Sequence, residues 1–424
     1  MKIIIKILLL QVLPILLCAQ VEEEITFESD GLTLNGTLSL PDEEGPFPVL
    51  LLLHGSGPND RNQTITLNDG NSLCLYPELF GETITNFKDI SDYLVQHGIA
   101  VLRYDKRSFT YPNSLNPITI TPYDFIEDAS RAIDFLLERD DIDPSCIVLG
   151  GHSQGSTLIP VLGINRNDIR GLVSLAGPVS PIDSLLAEQL RAIYTDCAND
   201  PITGNTVANL IYDEFALLRA GEIPNNEPVS IEIPGNPSQV LNFGFPTFYK
   251  DWIDLGDSVI SNYDISDLPL LFLQGDADFN VPVDNAVRFE NNLSSDSTEV
   301  IIFEDVNHFL TPNNDSKVSD VLLDTLVNWI LGLKITTHVY ENIIDHQKDI
   351  ALKIQSNSLN VKILNGFSDN MDVIIFNIKG EVFKRQKLQN PETNISLDSF
   401  EYDHCFISII KNSSLVFTKK FYFE

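Results

Sequence analysis

The chain has 424 residues, with 60 acidic against 27 basic side chains and a formal net charge of −33. At 43% hydrophobic and 21% charged it has ample material for a core, which excludes a disordered chain, a collagen-like repeat or a disulfide scaffold. So acidic a balance also argues against nucleic acid or an anionic membrane as partner, because phosphate contacts need clustered Lys and Arg.

The charge is unevenly spread. Residues 20–350 hold 52 acidic and 16 basic side chains, whereas 351–424 hold 8 and 9. That break places a domain boundary near residue 350. Residues 1–19 read as a signal peptide: Lys2 and Lys6 form a basic start, 7–17 an apolar stretch, and Cys18-Ala19-Gln20 a cleavage region. The apolar stretch is too short, and too interrupted by Pro14, for a membrane span. The expectation is an exported chain without stable membrane insertion. Four cysteines then remain, and a Cys74–Cys197 bridge is one pairing open to them; Cys146 opens an apolar run and reads as a buried thiol.

Strand and helix signals alternate from about residue 25 to 332. Segments 24–27 and 32–40 alternate apolar and polar residues like an antiparallel pair turning at Asp30-Gly31. The continuous apolar run 49–53, ending in His54-Gly55, reads as a strand buried on both faces. Helical spacing over 84–96 stops at His97-Gly98, before a strand at 99–103. A helix at 124–137, a strand at 146–149, a helix after 153 and a strand at 172–175 follow. Strands at 270–273 and 300–303 are each followed by a helix, at 285–292 and 318–331. This alternation predicts the α/β class, with a mostly parallel sheet covered by helices on both faces.

Residues 178–267 interrupt the pattern with helical pieces at 185–192 and 207–218 and a Pro- and Asn-rich loop at 223–237. Ninety residues exceed what a crossover needs, so this is an expected cap inserted in a catalytic domain spanning 20–333. Beyond it a polar linker is expected at 334–357, and a small all-β module at 358–424 with turns at Lys379-Gly380 and Asn412-Ser413.

The strongest chemical signal is Gly151-His152-Ser153-Gln154-Gly155, between a strand and a helix. A serine on so sharp a turn takes a strained backbone, and bulky neighbours two residues away would clash. The turn exposes the Ser153 hydroxyl above the sheet, at a helix N-terminus that favours negative charge. A serine hydroxyl needs a base. Of seven histidines, His54 and His152 flank the turn as positioning residues, His97 ends a helix, and His338, His346 and His404 lie in the linker and tail. His308 remains, beyond the last apolar strand, where function gathers in a parallel sheet. The acid should lie between nucleophile and base in the chain. Asp278 is chosen for its room to turn toward His308; Asp276 is expected to brace the turn, with Asp284 and Asp183 as weaker alternatives. The oxyanion donors expected are the backbone N–H groups of Gln154 and of Ser56, in the loop His54-Gly55-Ser56-Gly57-Pro58.

This constellation resembles the α/β-hydrolase family over roughly residues 22–332. The segments His54-Gly55-Ser56-Gly57-Pro58-Asn59-Asp60-Arg61, Phe87-Lys88-Asp89-Ile90 and Arg103-Tyr104-Asp105-Lys106-Arg107 are similar to a bacterial esterase subgroup labelled serine aminopeptidase-like or dienelactone hydrolase-like. The resemblance implies acyl transfer to water through Ser153, on a small-molecule ester and with no metal or organic cofactor. It leaves the acyl group open. Gln154 stands where the subgroup often has Leu. The tail resembles the C-terminal sorting domain of type IX secretion cargo. That implies passage through export machinery to the medium or the cell surface, although Leu364-Asn365-Gly366 replaces the usual Asn-Pro start. Phe245, Tyr249 and Trp252 in the cap are the candidate substrate contacts, with cap core as their other reading. Two rival readings stand beside the esterase: an aminopeptidase using cap acids Glu188, Asp213 and Glu214, and a binding protein on a hydrolase scaffold.

Overall fold

The computed structural model describes residues 21–422 apart from 234–235, 294–296, 347–349, 356–357, 364–370, 377–381, 389, 397–403 and 412–413. The signal peptide expected at 1–19, the two expected tail turns and Leu364-Asn365-Gly366 therefore lie outside the described residues. The chain divides into two compact units, Met1–Leu331 and Gly332–Glu424.

The first unit opens with β1 (Val21–Ser29) and β2 (Leu32–Leu40), an antiparallel pair. Their tight turn needs positive φ at both central residues, and Asp30 (50°) with Gly31 (76°) supplies it. β3 (Phe47–Leu53) is buried along its whole length. The excursion that follows holds β4 (Thr64–Thr66), α1 (Gly70–Leu75) and β5 (Thr83–Thr85). α2 (Asn86–Gln96) buries Phe87, Ile90, Leu94 and Val95 on one stripe, and leads into β6 (Ala100–Tyr104), every residue of which is buried. A short α3 (Arg107–Thr110) precedes α4 (Pro122–Leu137), which has Pro at its start and a Thr121–Asp124 capping box. β7 (Ile142–His152), α5 (Gln154–Asn165) and β8 (Ile169–Leu175) complete the half that carries Ser153.

The eight main strands run in the order β1-β2-β6-β3-β7-β8-β11-β12, with β11 at Leu270–Gly275 and β12 at Thr298–Phe303. Only β1/β2 and β2/β6 are antiparallel; every other pair is parallel. From β3 the chain first goes to β6 on one side and then to β7 on the other. The carboxyl ends of β3 and β7 thus flank the crevice where such sheets bind ligands. β12 closes the sheet as its edge strand and leaves Ile302 exposed.

Between β8 and β11 lies the cap: α6 (Ile182–Ala192), a π-helical turn (Ile193–Cys197), α7 (Pro201–Ala220), β9 (Val229–Ile233), β10 (Asn236–Gly244), α8 (Pro246–Asp257) and α9 (Val259–Ser266). Most of its apolar residues, among them Ile211, Phe215, Ile231 and Trp252, form a cluster that also takes in Val281, whereas Leu255, Val259 and Tyr263 pack into the main core. Two expectations are corrected here. The stretch expected as a loop over 223–237 contains β9 and the start of an antiparallel partner, and the cap has four helices rather than two. After β11 come α10 (Asp284–Asn292), β12 and α11 (Asp320–His346); α11 continues through much of the expected linker.

The second unit contains short antiparallel strands: β13 (Ile350–Gln355), β14 (Ser358–Ile363), β15 (Met371–Phe376), β16 (Val382–Lys387), β17 (Glu392–Ser396), β18 (His404–Lys411) and β19 (Ser414–Tyr422). They form a three-stranded sheet, β13-β14-β17, and a four-stranded sheet, β16-β15-β18-β19. Among the described residues no helix is long and apolar enough to cross a membrane, and no group of three or more His, Cys, Asp or Glu could hold a metal ion.

Candidate active site

Ser153 sits at the β7–α5 turn with φ 50° and ψ −118°, a conformation that costs an L-residue strain and is kept only where its surroundings impose it. The glycines show why. A Cβ on Gly151 would lie 2.4 Å from the Gly155 carbonyl, and one on Gly155 would lie 2.4 Å from the Leu53 carbonyl oxygen. Both obstacles are backbone, so neither site accepts a side chain without moving the turn. The Ser153 N–H is tied to the Leu175 carbonyl at 2.9 Å, which fixes the turn to the end of β8. Gln154 is the first residue of α5, so its N–H has no carbonyl one turn back inside the helix.

Asp278 and His308 meet beyond the ends of β11 and β12. His308 Nδ1 donates to Asp278 Oδ2 at 2.9 Å. The same oxygen accepts from Gln274 Nε2 at 2.9 Å, and Oδ1 accepts the Val281 N–H at 2.8 Å. With no exposed side-chain surface, Asp278 is locked in place, and its bond fixes the histidine proton on Nδ1. Nε2 is thereby left as the basic nitrogen. Asp276 accepts the Asp305 N–H at 2.7 Å and so braces the loop that leads to His308. Asp183 lies elsewhere, paired with Arg219 on the cap, and Asp284 begins α10. A Cβ on Gly275 would lie 1.9 Å from the Val306 carbonyl oxygen, so the approach of these two loops requires glycine there.

A chain of polar groups ties the candidate oxyanion loop to the base. The Gly55 N–H donates to Gln63 Oε1 at 3.2 Å, and Gln63 Nε2 donates to His152 Nδ1 at 2.8 Å. His152 Nε2 donates in turn to the His308 carbonyl at 2.8 Å. That order is forced, because the His308 carbonyl can only accept. His54 does parallel work on the loop, its Nε2 donating to the Asp60 carbonyl at 2.9 Å. Burial pushes both imidazoles down to about 3, helped by the electrostatic effect of neighbouring His308 at His152 and of Lys106 at His54, so both are neutral.

Folded, these two histidines resist protonation that the unfolded chain accepts below pH about 6.5. The stability they contribute is complete above that value and is lost as the pH falls toward 3. Urea unfolding midpoints should therefore drop between pH 7 and pH 5. A flat or rising midpoint would contradict the assignment.

Further braces carry no local signal. Asn86 Nδ2 donates to the Phe309 carbonyl, and Asn307 Oδ1 accepts from both the Phe309 N–H and Thr311. The segment around Arg103–Arg107 proves to be the support of the His54–Arg61 loop. Asp105 accepts the Arg61 N–H and its guanidinium, the Lys106 N–H donates to the Asn59 carbonyl, and Arg107 forms a buried bidentate pair with Asp128. Ser56 lies in the exposed part of that loop. Of the candidate substrate contacts, Trp252 is 8% exposed within the cap core, whereas Phe245 and Tyr249 are half-buried, and Tyr249 packs edge-on against Phe215.

A mostly parallel eight-stranded sheet with a strained serine at its central strand-to-helix turn defines the class: this is an α/β-hydrolase fold. Within that class the chain belongs to the serine aminopeptidase S33 family, which matches residues 79–315, more than half of its length. It is 28% identical over 321 residues to Esterase EstD of Thermotoga maritima, covering 72% of this chain and 68% of that protein. Among solved structures it is similar to Est1E from Butyrivibrio proteoclasticus (TM-score 0.45, 14% identity, 74% of this chain and 99% of that one). It is also similar to the esterase domain of a Rhodothermus marinus protein (TM-score 0.43, 16% identity, 73% and 97%).

Proposed function

We propose that the chain is an exported serine hydrolase that cleaves carboxylic esters through an acyl-enzyme on Ser153. The observation that carries this reading is the strained Ser153 turn beside a buried Asp278–His308 pair whose Nε2 is left basic. In the proposed reaction His308 Nε2 takes the Ser153 hydroxyl proton as Oγ attacks the ester carbonyl. The Ser56 and Gln154 N–H groups receive the developing oxyanion, a contribution of roughly 3–4 kcal/mol per donor in known acyl-transfer sites. Collapse expels the alcohol, which takes the proton from His308. Water then repeats the sequence on the acyl-enzyme and regenerates Ser153. Asp278 stabilises the imidazolium without becoming protonated.

The esterase name of the Thermotoga maritima relative supports ester over amide chemistry. The family's aminopeptidase description favours a second reading, cleavage at a peptide terminus, for which cap acids would have to hold the substrate amine. Glu188 is already paired with Arg191, and Glu214 accepts the Ser230 N–H, which weakens that reading. The Cys74–Cys197 disulfide supports export, since such bonds persist in oxidising compartments. Removal of residues 1–19 and passage through an outer-membrane export system by way of the tail belong to the same proposal. In the cap, Phe245 and Tyr249 are proposed to meet the acyl chain, while Trp252 holds the cap together.

A fluorophosphonate probe should label the mature protein stoichiometrically and leave the Ser153→Ala variant unlabelled. Short p-nitrophenyl esters should turn over at least a hundredfold faster than aminoacyl anilides. Labelling that survives Ser153→Ala would remove the nucleophile assignment, and faster anilide cleavage would favour the peptidase.

A further inference from the structure

Lys106 is a buried cation whose position the proposed reaction does not yet use. It is 4% exposed, and among the described residues no carboxylate forms an ion pair with it. The acidic group that acts on it, Asp128, is engaged by Arg107 at 2.6 Å. The Lys106 ammonium instead donates to the Gly55 carbonyl at 2.7 Å and to Gln154 Oε1 at 3.1 Å, with its Nζ 4.3 Å from the centre of the Phe125 ring. Burial brings its pKa down to about 7, against the opposing pull of Asp128. Withdrawing an ammonium from water without a counter-ion costs several kcal/mol. A side chain needed only to fill this space would be apolar.

The two acceptors belong to the two arms of the proposed oxyanion hole. Gly55 precedes Ser56, and a trans peptide points its C=O and the following N–H in opposite directions. Holding the Gly55 oxygen against Lys106 therefore turns the Ser56 N–H away from Lys106. Asn59 Nδ2 donates to the same oxygen at 3.1 Å, and Gln63 holds the Gly55 N–H of the preceding peptide, so the peptides on both sides of Gly55 are tied down. The second acceptor is the side chain of the residue whose own N–H is the other donor. Its amide must present oxygen to the ammonium, which leaves Gln154 Nε2 buried without a partner. That contact is kept at a cost.

We propose that Lys106 is a positioning residue of the oxyanion hole, bridging the Gly55 carbonyl and the Gln154 side chain so that the Ser56 and Gln154 N–H groups are held at the spacing a tetrahedral oxyanion requires. The proposal rests on the serine-hydrolase reading above. It makes no contact between Lys106 and substrate. Misplaced donors would weaken the transition state more than the bound ester, so kcat carries the effect.

The test compares wild type with K106M, K106L and K106R on p-nitrophenyl butyrate, with kcat normalised by fluorophosphonate titration so that unfolded protein is not counted. K106M is expected to lose about 10–100-fold in kcat, below the full loss of one donor, with KM within threefold. K106L reads the same loss should K106M fail to fold. K106R, which keeps a donating cation, should recover part of kcat although methionine is the better match in volume. An unchanged kcat in a folded K106M or K106L, a loss confined to KM, or K106M more active than K106R would overturn the positioning role. If wild type takes no label and the Ser153→Ala variant still cleaves the ester, the hydrolase reading fails first and takes this one with it.

Discussion

Asp278→Asn is expected to lower kcat by about 10⁴-fold, the order known for the equivalent change in a Ser-His-Asp site, while the protein stays folded. The loss follows from which atoms face Asp278. Its Oδ1 accepts the Val281 N–H, and its Oδ2 accepts from His308 Nδ1 and Gln274 Nε2. An asparagine keeps one oxygen, and the backbone N–H of Val281 cannot turn, so that oxygen stays on Val281. The new amide NH2 then faces His308 Nδ1. Two donors cannot share that gap, and the imidazole must shift its proton to Nε2, the nitrogen needed to take the serine proton. The base is lost to a tautomer rather than to a missing side chain. Gln274 Nε2 also donates to the Val281 carbonyl at 2.9 Å, so turning its amide to meet the new donor exchanges one bond for another, and a modest fall in stability accompanies the kinetic loss. Steady-state kinetics on p-nitrophenyl butyrate, alongside circular dichroism melting, provides the check. A variant within tenfold of wild type would remove Asp278 from the proposed mechanism and leave the Asp278–His308 hydrogen bond as a packing feature.

What could be read from the sequence follows the reach of the forces involved. The turn at Ser153 was legible because its requirement is local: Gly151 and Gly155 each lie two residues from the serine, and each faces backbone where a Cβ would go. The buried strands were legible because β3 and β11, covered on both faces, carry the apolar runs 49–53 and 270–273. Asp278 and His308 could be singled out only by chain order and by their place after strands, since 30 residues separate them. The braces were not legible. Gln63 reaches His152 across 89 residues, and Lys106 reaches Gln154 across 48, with no periodicity to announce either contact. In the cap the signals competed. Val229, Ile231 and Ile233 alternate inward like a strand, but the prolines and asparagines around them pointed to a loop. The aromatics of α8, Tyr249 and Trp252 among them, read equally well as substrate contacts and as cap core, because either use places apolar rings at helical spacing.

Replacing both Cys74 and Cys197 by serine is expected to lower the stability of the hydrolase unit by about 2–4 kcal/mol, with a fall in Tm of roughly 5–10 °C. The bond joins α1 to the π-helical turn of the cap, 123 residues apart, so it removes much freedom from the unfolded chain. Neither partner element has another strong anchor: α1 and the π-helical turn contain no buried residue, and Leu73 is exposed. Two weaker ties converge beside the bond. Tyr76 donates to the Asn280 side chain at 2.8 Å, and Gln189 of the cap donates to the Asn280 carbonyl at 2.5 Å. Asn280 lies two residues beyond Asp278, so the cap, the α1 segment and the acid's loop are fastened together. Asp278 keeps its own contacts to Gln274 and Val281, and kcat should therefore stay within about threefold of wild type. The loosened cap should show as faster limited proteolysis near the π-helical turn. Wild type treated with dithiothreitol should melt where the double variant does, because both then lack the Cys74–Cys197 bond. Equal melting temperatures for the oxidised wild type and the double variant would show that packing, not the covalent bond, holds the cap.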